Sequence, residues 1–198
     1  MKTPSSSFWS QTLVFFLGLM LCLPSHAERD VAGIKFDDQA SVAGQVLTLN
    51  GAGVRVKMII KVYAVGLYVA HKETTTEAIL NQPGAKSIHI VLLRDVSADR
   101  MADALLRGVV DNLSELDQHA LQARLDALEH ALRGAGEVTK GGVIRLDYVP
   151  DTGTHLSLDG KVLGKDIEGE DFYRALLKIW LGEHPSDHGL KAELLGRS

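Results

Sequence analysis

Between Asn50 and Ala70 the chain reads NGAGVRVKMIIKVYAVGLYVA, two apolar runs placed directly one after the other. Valine, isoleucine and tyrosine at this density suit a pleated, half-buried surface far better than a free-standing helix. The runs are expected as strands near Val54–Ile60 and Lys61–Ala70, which commits the chain to a sheet. Near the start of the first strand stands Arg55, a cation that keeps its charge at every ordinary pH. Its place at the edge of a future core wall is the main functional signal in the sequence.

The flanking segments extend this sheet. Val31–Phe36 and Gln45–Leu49 alternate apolar and polar positions and are expected as short strands. Glu73–Gln82 is predicted as a short helix, capped among Thr74–Thr76 and ended by Pro83-Gly84. Lys86–Leu93 is a further strand, and Ser97 is placed to N-cap a helix running to Leu116. A second helix covers Gln118–Leu132, where Leu121, Leu125, Leu128 and Leu132 share one face, and Gly134-Ala135-Gly136 ends it. Strands return at Val143–Val149 and Thr154–Leu158. The Asp159-Gly160 turn would let Lys161–Ile167 fold back on the latter. Helices at Glu170–Leu181 and Gly189–Leu195 follow. Strands, helix, strand, two helices, three strands and two helices make an α+β chain with a largely antiparallel sheet, not a regular βαβ alternation.

The first 27 residues belong to a different class. After Lys2, the apolar run Thr12–Leu23 leads to Pro24-Ser25-His26-Ala27, the build of a secretory signal with cleavage after Ala27. The run is shorter than the roughly 20 residues that a spanning helix needs. Residues 1–27 are therefore expected as a signal peptide and 28–198 as one exported, periplasmic domain with no stable membrane span after cleavage. Cys22, the single cysteine, would leave with the signal. The remaining domain must then stand on its core without a disulfide, and it is long enough to do so. Without Lys2 it carries 20 Lys and Arg against 25 Asp and Glu, a formal charge of −5. With no basic stripe in the sequence, nucleic acid is a poor partner. Nothing in the sequence sets the oligomeric state.

Several short patterns then fall in one order. Gly51-Ala52-Gly53-Val54-Arg55 is followed by Lys61-Val62-Tyr63-Ala64-Val65-Gly66-Leu67-Tyr68. Arg94-Asp95-Val96-Ser97 precedes the first long helix. Gly160–Gly164, Ile179–Pro185 and Leu190–Gly196 complete the set. This series resembles the chalcone isomerase superfamily, and in particular its bacterial exported members. The resemblance implies an open-faced β-sandwich: an antiparallel sheet with helices layered on one face and a ligand cleft between them. It also implies two possible activities, since the superfamily holds intramolecular lyases and fatty-acid-binding proteins.

By that resemblance Arg55 matches the arginine that polarises a carbonyl oxygen as negative charge develops on it. Tyr63 falls where the plant enzyme has a threonine hydroxyl. The family tyrosine ahead of the long helix falls at Ser97, its asparagine near Ala104 and a substrate-selecting threonine near Val162. Much of the catalytic polar set is therefore missing, and no tyrosine lies between Leu92 and Leu113. Arg55, Tyr63 and Ser97 are the candidate ligand contacts, with Arg55 and Tyr63 catalytic only if the protein is an isomerase.

A guanidinium facing an apolar cleft fits a small amphipathic anion such as a fatty acid. Val54, Val56, Ile60, Val62, Val65 and Leu67 are the expected walls. Burying about twelve methylenes at about 0.8 kcal/mol each gives about 10 kcal/mol gross, and ordering costs bring affinity back towards micromolar. Three other readings stand beside this one. Arg55 could polarise an enone-like substrate, it could pair with Asp95 or Asp147 as a structural ion pair, or the cleft could be filled by the protein's own side chains. His184, Asp187 and His188 suggest a metal, but Pro185 breaks the helix that would align them, and Ser186 or Asp187 reads better as an N-cap. Lys140-Gly141-Gly142 lacks phosphate-loop spacing. Neither a metal nor a cofactor is expected.

Overall fold

The computed structural model describes residues 28–197, so the expected signal peptide lies outside the described residues. The Asn50–Ala70 stretch folds into paired strands, but its turn falls between positions read as continuous strand. Strand β4 (Gln45–Lys57) and strand β5 (Ile60–Val69) pair with Lys57 opposite Ile60, leaving Met58 and Ile59 as the turn. Gln45–Leu49 is the first part of β4, not a strand of its own.

N-terminal to this hairpin, the expected strand Val31–Phe36 is broken. Ala32 and Gly33 take left-handed backbone and reverse the chain, so β1 (Glu28–Val31) and β2 (Ile34–Asp37) form a separate two-stranded sheet. Strand β3 (Gln39–Val42), unforeseen in the sequence, begins the main sheet. It is followed by β4, β5, β6 (Lys86–Leu92), β7 (Val143–Val149), β8 (Gly153–Leu158) and β9 (Lys161–Val162). These seven strands lie in chain order and every neighbour pair is antiparallel. Beyond Val162 the return strand loses its pairing, and Ile167 meets Thr154 only as an isolated bridge.

The helices are α1 (Thr76–Asn81), α2 (Ala98–Val110), α3 (Glu115–Arg133), α4 (Glu170–Leu181) and α5 (His188–Leu194). Ser97 caps α2 and Ser114 caps α3 through their hydroxyls, which satisfy amide groups left free at each helix start. The second of these caps ends α2 earlier than the expected Leu116. Helices α2, α3 and α4 cover one face of the sheet. Phe172, Tyr173, Leu176, Ile179 and Trp180 of α4 are buried there against Val65, Leu67, Ile88, Ile90, Ile144 and Leu146. The opposite face is partly covered by the β1–β2 hairpin, where Phe36 packs with Leu47, Leu49, Ala64 and Tyr68.

Beside that second cluster the strands carry polar residues. Ser87 donates a short hydrogen bond to Asp147, whose other oxygen meets Arg145. His89 lies opposite Arg145, with its ring centroid 4.5 Å from that of Tyr68. Its Nε2 is enclosed and has no hydrogen-bond partner.

Helix α5 docks on β4 at unusually short range. A Cβ at Gly51 would collide with the carbonyl oxygens of Glu193 and Leu194, and one at Gly53 with the Glu193 carboxylate. Gly51 therefore admits the helix backbone itself, and Gly53 admits the Glu193 and Leu190 side chains. Asn50 fastens the contact. Its Nδ2 donates to Leu194 O at 2.7 Å and Glu73 O at 2.9 Å, and its Oδ1 accepts from Glu73 N at 2.7 Å.

Two outcomes follow. Gly51→Ala should lower stability by about 1–3 kcal/mol, the usual penalty for overpacking, seen as a lower urea midpoint with an unchanged slope; parental stability would contradict the close approach. His89 has its pKa lowered from 6.5 to about 3, first by burial and then by the Arg145 charge. Because the folded value lies below the unfolded one, the stability held at this ring is complete above pH 6.5 and is lost as pH falls towards 3. His89→Gln should therefore flatten the stability–pH curve over that interval in denaturation series, and an unaltered slope would show that the ring does not drive it.

Candidate functional site

Arg55 and Tyr63 are direct cross-strand partners on β4 and β5, the next pair after the Gly53–Val65 and Val54–Ala64 pairs. Their side chains meet on the helix-covered face, with the Arg55 guanidinium carbon 5.9 Å from the Tyr63 ring centroid. Among the described residues no carboxylate lies within 4.0 Å of the Arg55 nitrogens. The two acids considered as partners are engaged elsewhere. Asp147 is on the opposite face with Ser87 and Arg145, and Asp95 accepts the Lys140 backbone N–H at 2.7 Å.

Tyr63 is fixed from behind by α4. The indole Nε1 of fully buried Trp180 donates to the Tyr63 hydroxyl oxygen at 2.9 Å. Burial raises the phenol pKa, with the Arg55 charge and the Trp180 hydrogen bond opposing the rise. The phenol therefore stays protonated at neutral pH. Because Trp180 occupies an acceptor site on the oxygen, the O–H proton remains available to donate forward. Ser186, just beyond α4, lines the same space with its enclosed hydroxyl beside that of Tyr63.

These groups border a cavity of about 310 Å³ between the sheet and α2. Its apolar lining includes Val62, Ile90, Leu92, Met101, Leu105, Ile144 and Ile179. Only Val62 of the expected wall residues is among them. Val65 and Leu67 are packed into the core, while Val56 and Ile60 face solvent beyond the cavity. The register shift at Arg55/Val56, where β5 carries Val62 as an extra residue, causes part of this difference, because it changes which side chains face inward. Ser97 does not line the cavity; its hydroxyl accepts from Arg100 N as the α2 cap.

The polar part of the lining is strongly biased in sign. Arg55, Lys57, Arg94, Arg100 and Arg107 face it with only Asp95 and Asp103, and Asp103 is already paired with Arg133 at 2.8 Å. The four cations other than Arg55 escaped sequence reasoning because they lie far apart in the chain. A helical spacing did hold part of the signal: Arg100, Ala104 and Arg107 recur at intervals of four and three on α2.

A larger depression of about 950 Å³ lies among α1, α3 and α4. Some of its charged groups are engaged already. Asp171 is bidentate to Arg124, Arg174 meets Glu170, and Lys191 donates to Gly182 O. Its lining mixes both signs, with Glu77, Asp111, Asp117, Asp171 and Glu183 beside Arg174, Lys178 and Lys191. At the His184–His188 segment, Asp187 caps α5 through Leu190 N and also accepts from Val56 N.

None of the curated protein sequences matches this chain. Among solved structures, a fatty-acid binding protein of Arabidopsis thaliana superposes with a TM-score of 0.66 at 16% identity, covering 82% of this chain and 92% of that one. That likeness agrees with the antiparallel sheet and helix layer described above. With the chalcone isomerase-like family model matching residues 28–196, the chain belongs to that family.

Proposed function

We propose that the protein binds a small amphipathic anion, a fatty acid or a close analogue, with its carboxylate on Arg55 and its chain among the apolar residues beneath α2. The observation that carries this reading is an arginine without a carboxylate partner at the edge of an apolar cavity. A partly desolvated guanidinium is stabilised by an anion supplied from outside, and its fork matches a carboxylate. The Tyr63 hydroxyl supplies a second donor, held in place by Trp180. A similarly folded plant protein named as fatty-acid binding adds support. The cavity volume stands at the small end of ligand sites, about 300–1,000 Å³, and favours one acyl chain over a bulkier lipid.

The apolar Thr12–Leu23 run and its Ala27 boundary support export of the domain and action in the periplasm. An isomerase acting on an enone-like substrate would draw on the same Arg55 and Tyr63, with Arg55 as electrophile. The favoured reading differs from it in requiring no bond to change.

Calorimetric titration with a series of saturated fatty acids tests the proposal. Arg55→Ala should weaken carboxylate binding about tenfold to a hundredfold, as expected for a hydrogen-bonded charge. It should leave binding of the corresponding fatty alcohol and the unfolding midpoint unchanged. Unfolding by Arg55→Ala would instead assign this residue to the scaffold. Absence of fatty-acid uptake, combined with loss of chalcone absorbance faster than in buffer, would establish the isomerase in its place.

A further inference from the structure

Four of the eight large hydrophobic residues that stand exposed among the described residues are gathered at one point, the β4–β5 turn. Met58 and Ile59 are 93% and 94% exposed, with Val56 and Ile60 at 39% and 47%. The turn also disobeys its local chemistry. A two-residue hairpin turn favours asparagine and glycine because its backbone enters the left-handed region. Here Met58 holds that conformation, at φ 58°. Methionine and isoleucine gain nothing from packing in this position, so exposure opposes both and backbone preference opposes Met58 as well. Departures of this kind without a compensating contact mark sites under functional demand.

The surroundings identify the partner. Lys57 and Lys61 flank the tip, Lys61 opposite Val56 across the hairpin. Lys57 also lines the cavity, together with Arg55, Arg94, Arg100 and Arg107. An apolar point framed by cations, on a chain of net negative charge, is complementary to a surface with anionic groups above hydrocarbon. A second copy of the chain is a poor occupant. Four side chains fall far short of the roughly 800 Å² per partner of a stable interface, and the cations of two facing tips would repel.

We propose that the β4–β5 tip is a docking finger for an anionic lipid bilayer. Met58 and Ile59 enter the interfacial region, the lysines meet the head groups, and the cavity is held against the membrane. No helix among the described residues is long and apolar enough to span a bilayer, so the attachment is peripheral and reversible. It would let an acyl anion pass between bilayer and cavity beneath a cationic rim. That last use rests on the ligand reading above, whereas docking itself does not.

Co-sedimentation with vesicles tests docking, using phosphatidylcholine alone and phosphatidylcholine mixed with phosphatidylglycerol. The purified protein and Ile59→Asp are compared in the same form, so that Thr12–Leu23, where present, contributes equally. The parent should sediment with the mixed vesicles, only weakly with the neutral ones, and less as salt is raised. Ile59→Asp should lose about tenfold in apparent vesicle affinity while keeping its calorimetric affinity for a free fatty acid. A double variant, Met58→Gly with Ile59→Ser, puts glycine at the positive-φ position and should fold at least as stably while losing the same vesicle affinity. Equal sedimentation of parent and variants overturns the proposal, as does equal binding to both vesicle types. Concentration-dependent dimers abolished by Ile59→Asp, without vesicle binding by the parent, would reassign the tip to self-association. Vesicle binding by a protein that takes up no fatty acid would remove the ligand reading and leave docking in place.

Discussion

The close approach of α5 to β4 governs the position of everything functional in this molecule. Strand and helix backbones come within a distance that only glycine permits at position 51, Gly53 leaves room for the Glu193 side chain, and Asn50, at the strand's irregular point, bonds once to α5 at Leu194 O and twice to Glu73 beyond β5. Downstream of this anchor the strand has no freedom to slip. A one-residue change of register would turn Arg55 to the opposite face. The short motif that signals the arginine in the sequence therefore also contains the physical means of aiming it. The glycines are needed for helix docking, and the arginine inherits its direction from them.

Electrostatics and burial divide the cavity between two tasks. Its deep walls are aliphatic and derive from the sheet, α2 and α4, while its rim collects five cations against two acids. In a protein with an overall excess of negative charge, this local reversal focuses attraction for anions at one opening. The elsewhere abundant carboxylates are excluded from Arg55 by engagement with other partners. The Asp147 carboxylate is spent on Ser87 and Arg145, and Asp103 is held by Arg133. The Tyr63 phenol adds a neutral donor, kept protonated chiefly by burial.

Much of this was legible in the sequence, for reasons that differ from residue to residue. The order of elements was readable because alternating and helical periodicities are long-lived patterns, as in Leu121–Leu132. Arg55 and Tyr63 were readable because a hairpin brings near neighbours in sequence together. The break at Ala32-Gly33 was hidden inside an otherwise strand-like run, since alanine gives little warning of left-handed backbone. The turn at Met58-Ile59 was hidden for the same reason, and its apolar residues looked like wall. Ile90, Met101, Leu105, Ile144 and Ile179 could not be assigned to the cavity, because which face of a helix or strand borders a hollow depends on how the layers stack. Ser97 shows the opposite error. A hydroxyl at a suggestive alignment position proved to be spent on the start of α2.

The hydrogen bond from Trp180 to Tyr63 has a practical consequence. The chain has two tryptophans, and the other, Trp9, lies within the expected signal peptide. In a protein prepared as residues 28–198, all indole emission comes from a ring enclosed by protein and bonded to the hydroxyl beside Arg55. Whatever draws on that hydroxyl changes the polarity felt by the excited indole. This domain thus carries its own optical reporter, one hydrogen bond removed from the place where an anion would sit.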